Sequence, residues 1–310
     1  MLKYVGNRLL QLIPVLFGVS LIVFTLLYFS PGDPAKIMMG ESVDPKILEA
    51  TRESMGLNKP YWQRYLSYVG GIIFHFDFGT SYATKQPVTQ QIMASFPNTL
   101  KLTMISMFVA VIGGVVFGVI SALRQNTWVD STISLVALIG ISFPSFWLAL
   151  LLIIFFAVKL GWFPASGFDS WRAMVLPCGV LSIGSVASLT RMTRSSMLDV
   201  IRQDYVRTAK AKGLSNTAIV IGHELKNALI PVITVIGMDF GSLLGGAVLT
   251  EVIFSIQGVG RLIVDSITMR DYPVVQGGVL FIALMVCFVN LLVDVIYMVL
   301  DPKLRAKGGK

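Results

Sequence analysis

Few side chains in this 310-residue sequence can do chemistry, and their spacing excludes most of it. The only histidines are His75 and His223. His223-Glu224 is followed by Leu225-Lys226-Asn227, so the second histidine of an H-E-x-x-H zinc helix is missing and no metal site is expected. Cys178 and Cys287 both fall in apolar runs, which argues against a disulfide framework. No G-x-x-x-x-G-K-[ST] loop occurs, so the chain lacks that route to ATP hydrolysis. A membrane-embedded enzyme would need a serine with a histidine, or paired aspartates, at mid-membrane, and both histidines lie outside the apolar runs. The chain is expected to have no catalytic residues and no cofactor.

One acid stands out. Asp239 lies ten residues past Leu229, about 15 Å into an apolar run at ~1.5 Å per residue. A charge at that depth faces a bundle interior or a wet cavity. Two readings stay open: Asp239 meets a peptide ammonium or a metal chelate on a pathway, or it accepts hydrogen bonds from a neighbouring helix. Asp294, two turns from Asp301, reads as interfacial structural pairing.

These residues must be held in an apolar medium. The chain is 55% hydrophobic and 14% charged, against about 25% charged in soluble proteins, and its mean hydropathy is +0.75. Six runs with almost no charge, near 9–29, 102–123, 132–158, 174–190, 229–250 and 274–300, are long enough to cross a bilayer as helices. The expected fold is all-α and polytopic, with six transmembrane helices. The first run is too long for a signal core, and Ser30-Pro31-Gly32-Asp33 offers no small-x-small cleavage site, so it reads as an uncleaved first helix over 1–29. Residues 30–101 are expected to form a small helical extracytoplasmic insertion, and 102–310 a five-helix core carrying a cytoplasmic loop at 191–228. Small residues recur at Ala110, Gly114, Gly118 and Ala122, and at Gly237, Gly241 and Gly245, either for packing within the chain or for a partner face. Pro144 reads as a kinked packing device within the third run.

Basic residues orient the chain. With both termini inside, 14 of the 25 Lys and Arg lie in inner segments against five acids, leaving +9. The other eleven meet ten acids, leaving +1, and Asp239 and Asp294 complete the net +8. The positive-inside bias accounts for the whole excess, so no nucleic-acid partner is implied.

The inner loop is the most informative segment. Met197, Ile201 and Tyr205 recur at helical spacing, which predicts an amphipathic helix over 196–212 continuing out of the fourth run. Gly213 followed by Leu214 suits a left-handed cap with a hydrophobic contact onto the last turn. A second short helix over 216–226 presents Ile219, Val220 and Leu225, with Pro231 opening the fifth run near its first turn. Periodicity alone leaves a solvated connector and a docking helix both open.

Asp204-Tyr205-Val206-Arg207-Thr208-Ala209-Lys210-Ala211-Lys212-Gly213-Leu214, followed by His223-Glu224-Leu225-Lys226-Asn227-Ala228, resembles the E-A-A loop of bacterial ABC importer permeases. The pattern E-A-A-x3-G-x9-I-x-L-P is met at Ala209, Gly213 and Leu225 and broken at Arg207, Thr208, His223 and Lys226, and those departures follow the peptide, nickel and glutathione branch. Pro31-Gly32-Asp33-Pro34, Phe78-Gly79-Thr80-Ser81, Ile141-Ser142-Phe143-Pro144, Gly258-Val259-Gly260-Arg261-Leu262, Arg270-Asp271-Tyr272-Pro273 and Asp301-Pro302-Lys303-Leu304-Arg305 extend the resemblance along the chain. The resemblance implies a permease subunit in a bacterial plasma membrane, forming half of a pathway for small peptides, or for nickel, metal chelates or glutathione. It implies a second homologous permease subunit, two cytoplasmic ATPase subunits and an extracytoplasmic solute-binding protein as partners. It also makes the loop a coupling helix, with Ala209, Gly213, Leu214, Ile219, His223 and Leu225 at the ATPase contact. An ion-driven secondary transporter is the rival reading. It would usually show inverted repeats with matching acids or broken helices, and none is seen here.

Overall fold

The computed structural model describes residues 2–40 and 44–300; the Asp301–Arg305 motif lies outside them. Among the described residues the chain is helical, with only an isolated bridge between Thr80 and Pro87. Helix α1 spans Leu2–Tyr28, followed by three shorter helices, α2 (Pro34–Met39), α3 (Pro45–Ser54) and α4 (Tyr61–His75). Asp33 and Asp44 cap α2 and α3 through their carboxylates, each with a proline at the first helical position, the N-terminal pairing that sequence favours. Helix α5 runs Val88–Leu123, α6 Trp128–Ser142, α7 Ser145–Leu152, α8 Trp171–Ile201, α9 Asp204–Ala211, α10 Asn216–Ile219, α11 Lys226–Ile253, α12 Val259–Thr268 and α13 Tyr272–Leu300.

Five helices are long and apolar enough to span a bilayer, and a sixth candidate is a bent pair, 128–142 with 145–159, folded by 104°. The expected kink at Pro144 is therefore a full break. Phe143 is extended (φ −87°, ψ 134°) because the proline ring excludes helical backbone before it, and Pro144 then caps α7. Residues 153–159 continue as a π-helical turn. Helix α5 begins fourteen residues before the expected start at 102 and is about 54 Å long at 1.5 Å per residue. Its first turns carry Gln90, Gln91, Asn98 and Lys101, so the helix runs on beyond the apolar stretch that hydropathy marks.

Helix α8 is central and α1 peripheral: 61% of the most apolar stretch of α8 is buried within the chain, against 11% for α1. The small residues of α5 let α8 approach closely. A methyl group at Gly118 would lie 2.5 Å from Thr193 Cβ, and one at Gly114 would collide with Leu189. On α11, a methyl at Gly237 would collide with Val293 of α13, and Gly241 faces Asn290. These stripes are packing seams within the chain, although Gly245 has open space beside it. Leu102, Leu176, Leu181, Leu189, Leu243 and Phe254 form the main core where α5, α8 and α11 meet. At one end α4 lies against α1, where Tyr65 Oη pairs with Ser20 at 3.0 Å and Tyr61 Oη with Thr25 at 2.7 Å. The other face of α4 exposes Trp62, Leu66, Ile73 and Phe74, the composition of a helix lying in a membrane interface.

Candidate functional site

The segment joining α8 to α11 is a helical hairpin with short breaks at 202–203 and 212–215. Helix α8 runs on to Ile201, and α9 starts after a break at Arg202–Gln203, with Gln203 extended. The break divides the expected continuous stripe: Met197 is buried, Ile201 half-buried and Tyr205 41% exposed. The Tyr205 hydroxyl instead interacts with Asn227 on α11, while burial raises its pKa above the usual phenol value. Gly213 has φ +76°. Its N–H donates to the Lys210 carbonyl at 3.0 Å, and that of Leu214 to the Ala209 carbonyl at 3.4 Å, the paired bonds of a left-handed helix end. The Leu214 side chain is 43% exposed.

Ser215 Oγ accepts from the Ala218 N–H at 3.3 Å and starts α10. A π-helical turn, Val220–Leu225, joins α10 directly to α11, so Pro231 sits inside α11 instead of opening it, at the loss of one helical hydrogen bond. Val206, Ala209 and Ile219 pack together beneath the hairpin. Leu225 and Val220 face inward, against the cluster of Met197, Ala122 and Ala228. His223 is half-buried. The hairpin presents outward Leu214 and Ile221, the latter 62% exposed. Ile221 was not singled out in the sequence because period alone does not say which face a neighbouring helix covers, and a π-turn shifts that face. Beneath lies a cavity of about 500 Å³ lined by Gln125, Arg202, Lys210, Asn216 and Glu224. Glu224 is 2% exposed and its Oε2 has no hydrogen-bond partner.

A buried ion pair braces the same end. Arg194 of α8 donates from Nε and Nη2 to the two carboxylate oxygens of Asp130 on α6, both at 2.7 Å. Ser121 Oγ donates to the same carboxylate at 2.5 Å and the Asn126 N–H at 3.0 Å. The fork geometry fixes α6 and the end of α5 to α8, about two turns before the break that begins the hairpin. Sequence reading counted Asp130 and Arg194 only as inner charges. A pairing across 64 residues leaves no local signal.

In the bundle, Asp239 lies beside Ser185 of α8, and its Oδ2 is buried without a partner. Asp294 pairs with Arg8 of α1 at 3.2 Å, the structural role expected for it, while Asp301 lies outside the described residues. Among the described residues no three His, Cys, Asp or Glu side chains converge as a metal site.

The opposite end explains the scattered motifs. Asp271 is buried and accepts from Ser81 Oγ at 2.5 Å, the Tyr82 N–H at 2.9 Å and the Ala83 N–H at 3.2 Å, so Phe78–Ser81 and Arg270–Pro273 meet. Arg270 donates to Ser30 beside Gly32, and Arg52 binds Asp33 Oδ2 through Nε at 2.8 Å. Glu251, fully buried, accepts from Thr99 Oγ1 at 2.6 Å and from the Arg261 N–H at 3.0 Å, at the N-terminus of α12 where the helix dipole favours an anion. Gly260 is required there because a Cβ would lie 2.6 Å from Val248 Cα.

Comparison with known proteins agrees with this geometry. Residues 114–306 match the family model described as binding-protein-dependent transport system inner membrane component, and residues 1–103 match its N-terminal companion. The glutathione transport system permease protein GsiC of Escherichia coli strain K12 is 45% identical over 307 residues, 99% of this chain and 100% of that one. GsiC of Shigella flexneri serotype 5b strain 8401 is 44% identical over the same length. Among solved structures, a chain of the MetNI methionine ABC transporter in an inward-facing conformation has a TM-score of 0.57 at 20% identity, covering 69% of this chain and 97% of that one. A chain of an amino acid ABC transporter crystallised with histidines has a TM-score of 0.52 at 17% identity, covering 69% and 94%. At those identities the likeness is one of fold. With five membrane-length helices and a bent sixth candidate, an E-A-A-like hairpin and relatives aligned end to end, the chain belongs to the binding-protein-dependent transport system inner membrane components and is a multi-pass permease subunit of an ABC importer of the peptide and glutathione branch.

Proposed function

We propose that this chain forms half of the pathway for short peptide-like solutes and receives the work of ATP hydrolysis through the tip of the 204–225 hairpin. The chain carries no Walker-type loop, so conformational work must arrive by contact from two cytoplasmic ATPase subunits. Their closure shifts the permease between inward and outward states only by binding those states unequally. The carrying observation is the exposed pair Leu214 and Ile221 on a hairpin that follows α8 and runs without a break into α11, so that displacement of the tip is passed to the span it is fused to. Exposed aliphatics in an aqueous compartment call for a covering partner.

In this reading both termini and the hairpin are cytoplasmic and residues 34–86 extracytoplasmic, where a solute-binding protein delivers solute. A second permease of similar fold completes the pathway. Glutathione, named for the E. coli relative, is a tripeptide, which favours peptide chemistry over nickel or metal chelates. The test is Ile221→Asp, assayed by co-purification of the ATPases, solute-stimulated ATP hydrolysis and uptake. A charge at the tip is expected to cut coupled uptake about tenfold or more, through the cost of burying it in an apolar contact, with membrane insertion unchanged. Normal uptake would make the hairpin a solvated connector.

A further inference from the structure

A second cavity, of about 360 Å³, lies at the opposite end of the molecule, between the insertion helices α3 and α4, the 77–82 loop and the start of α13. That volume is within the ~300–1,000 Å³ range of small-molecule sites. It lies against Phe24 of peripheral α1, away from Asp239 and the central helices. Its lining mixes apolar and polar groups, the latter including Arg64, Lys59, Glu53, Asp77 and the tyrosines Tyr68, Tyr82 and Tyr272.

Arg64 is the informative group. It is half-buried and belongs to none of the ion pairs among the described residues. Its guanidinium stacks 5.4 Å from the Tyr28 ring centroid, which leaves its N–H donors free for an acceptor. Its charge is felt at the side chains of both Tyr82 and Tyr272. Burial raises the Tyr82 pKa and Arg64 opposes the shift, so the phenol stays a neutral O–H donor at physiological pH. Among the described residues neither hydroxyl has a hydrogen-bond partner, although Tyr272 is only 6% exposed. A guanidinium and two phenols facing one space are donors without an acceptor. The same lining holds Glu53 and Asp77, carboxylates suited to an ammonium group, and the amide of Gln276, 9% exposed, suited to a peptide bond.

We propose that this cavity binds a short zwitterionic peptide, its carboxylate held by Arg64 with the Tyr82 and Tyr272 hydroxyls and its ammonium end by Glu53 and Asp77. A docking side chain from a solute-binding protein would use charge of one sign, whereas the lining offers both. The site receives peptide on the delivery side, apart from the path between the central helices. The choice of peptide as ligand rests on the proposed function above.

The test is calorimetric titration of the importer complex in lipid nanodiscs, without the solute-binding protein, using triglycine and triglycinamide. Triglycine is expected to bind, and the amide, which lacks the carboxylate, to bind about tenfold or more weakly. Arg64→Gln should weaken triglycine to the level of the amide, and Arg64→Lys should restore part of the difference. Tyr272→Phe, which removes only a hydroxyl, should weaken triglycine about threefold at an unchanged melting temperature, so the proposal does not rest on the folding of an arginine variant. Equal binding of triglycine and its amide, or triglycine binding unaffected by Arg64→Gln, overturns the site. Loss of solute-binding-protein affinity in Arg64→Gln without change in triglycine binding overturns it in favour of protein docking. Co-purification of the ATPases, read on the same preparation, reports on coupling separately, so a failure there leaves the cavity result standing.

Discussion

Gly213 sits at φ +76° with open space around the position a Cβ would take, so the backbone alone demands glycine. A β-branched side chain there costs on the order of 1–2 kcal/mol, and the chain would relieve that strain by re-aiming α10. Gly213→Val is expected to insert normally and to lose most solute-stimulated ATP hydrolysis. Gly213→Asn, which tolerates the left-handed region, should retain most of it. Equal activity of the two variants would show that the turn does not aim the hairpin. Asp239 calls for a different comparison, because one of its oxygens is buried without a partner beside Ser185. If that oxygen waits for solute, Asp239→Asn should reduce uptake several-fold while assembly and basal ATP hydrolysis stay near wild type. Failure of the complex to assemble would instead identify a helix-to-helix hydrogen bond.

At the scale of elements, the brace between α6 and α8 decides how firmly the hairpin is mounted. The Asp130 side chain is 7% exposed and that of Arg194 30%. Asp130→Asn should therefore destabilise by roughly 3 kcal/mol, the lower end for removing one member of a buried pair. A lowered thermal midpoint in detergent checks this, and an unchanged midpoint would mean that the pair contributes little. What could be read in the sequence follows from how local each rule is. Gly213 was legible because a helix followed by Gly-Leu is a contiguous signal. Residues around Leu225 were legible as helix but not as an inward face, since the face depends on Met197 and Ala228 packing against it. The break at Pro144 was visible as a proline, yet its 104° bend depends on what α6 and α7 pack against. The Asp130–Arg194 and Ser81–Asp271 contacts join residues 64 and 190 positions apart, and nothing in a single sequence pairs them.

For the whole molecule, the proposed function, motivated by the +9 and +1 charge split, makes one joint claim to be tested: that the 204–225 end is cytoplasmic and touches the ATPases. The two native cysteines are buried, so an introduced thiol can be read against a quiet background. Ile221→Cys, at the tip, and Leu66→Cys, on the exposed face of α4 at the other end, form the decisive pair. The measurement is photo-cross-linking in inverted membrane vesicles carrying the ATPases, after each introduced thiol has been alkylated with benzophenone maleimide, whose excited ketone inserts into a neighbouring C–H bond. The account predicts a cross-link from Ile221→Cys to an ATPase subunit and none from Leu66→Cys. A cross-link from position 66 with none from position 221 would contradict it.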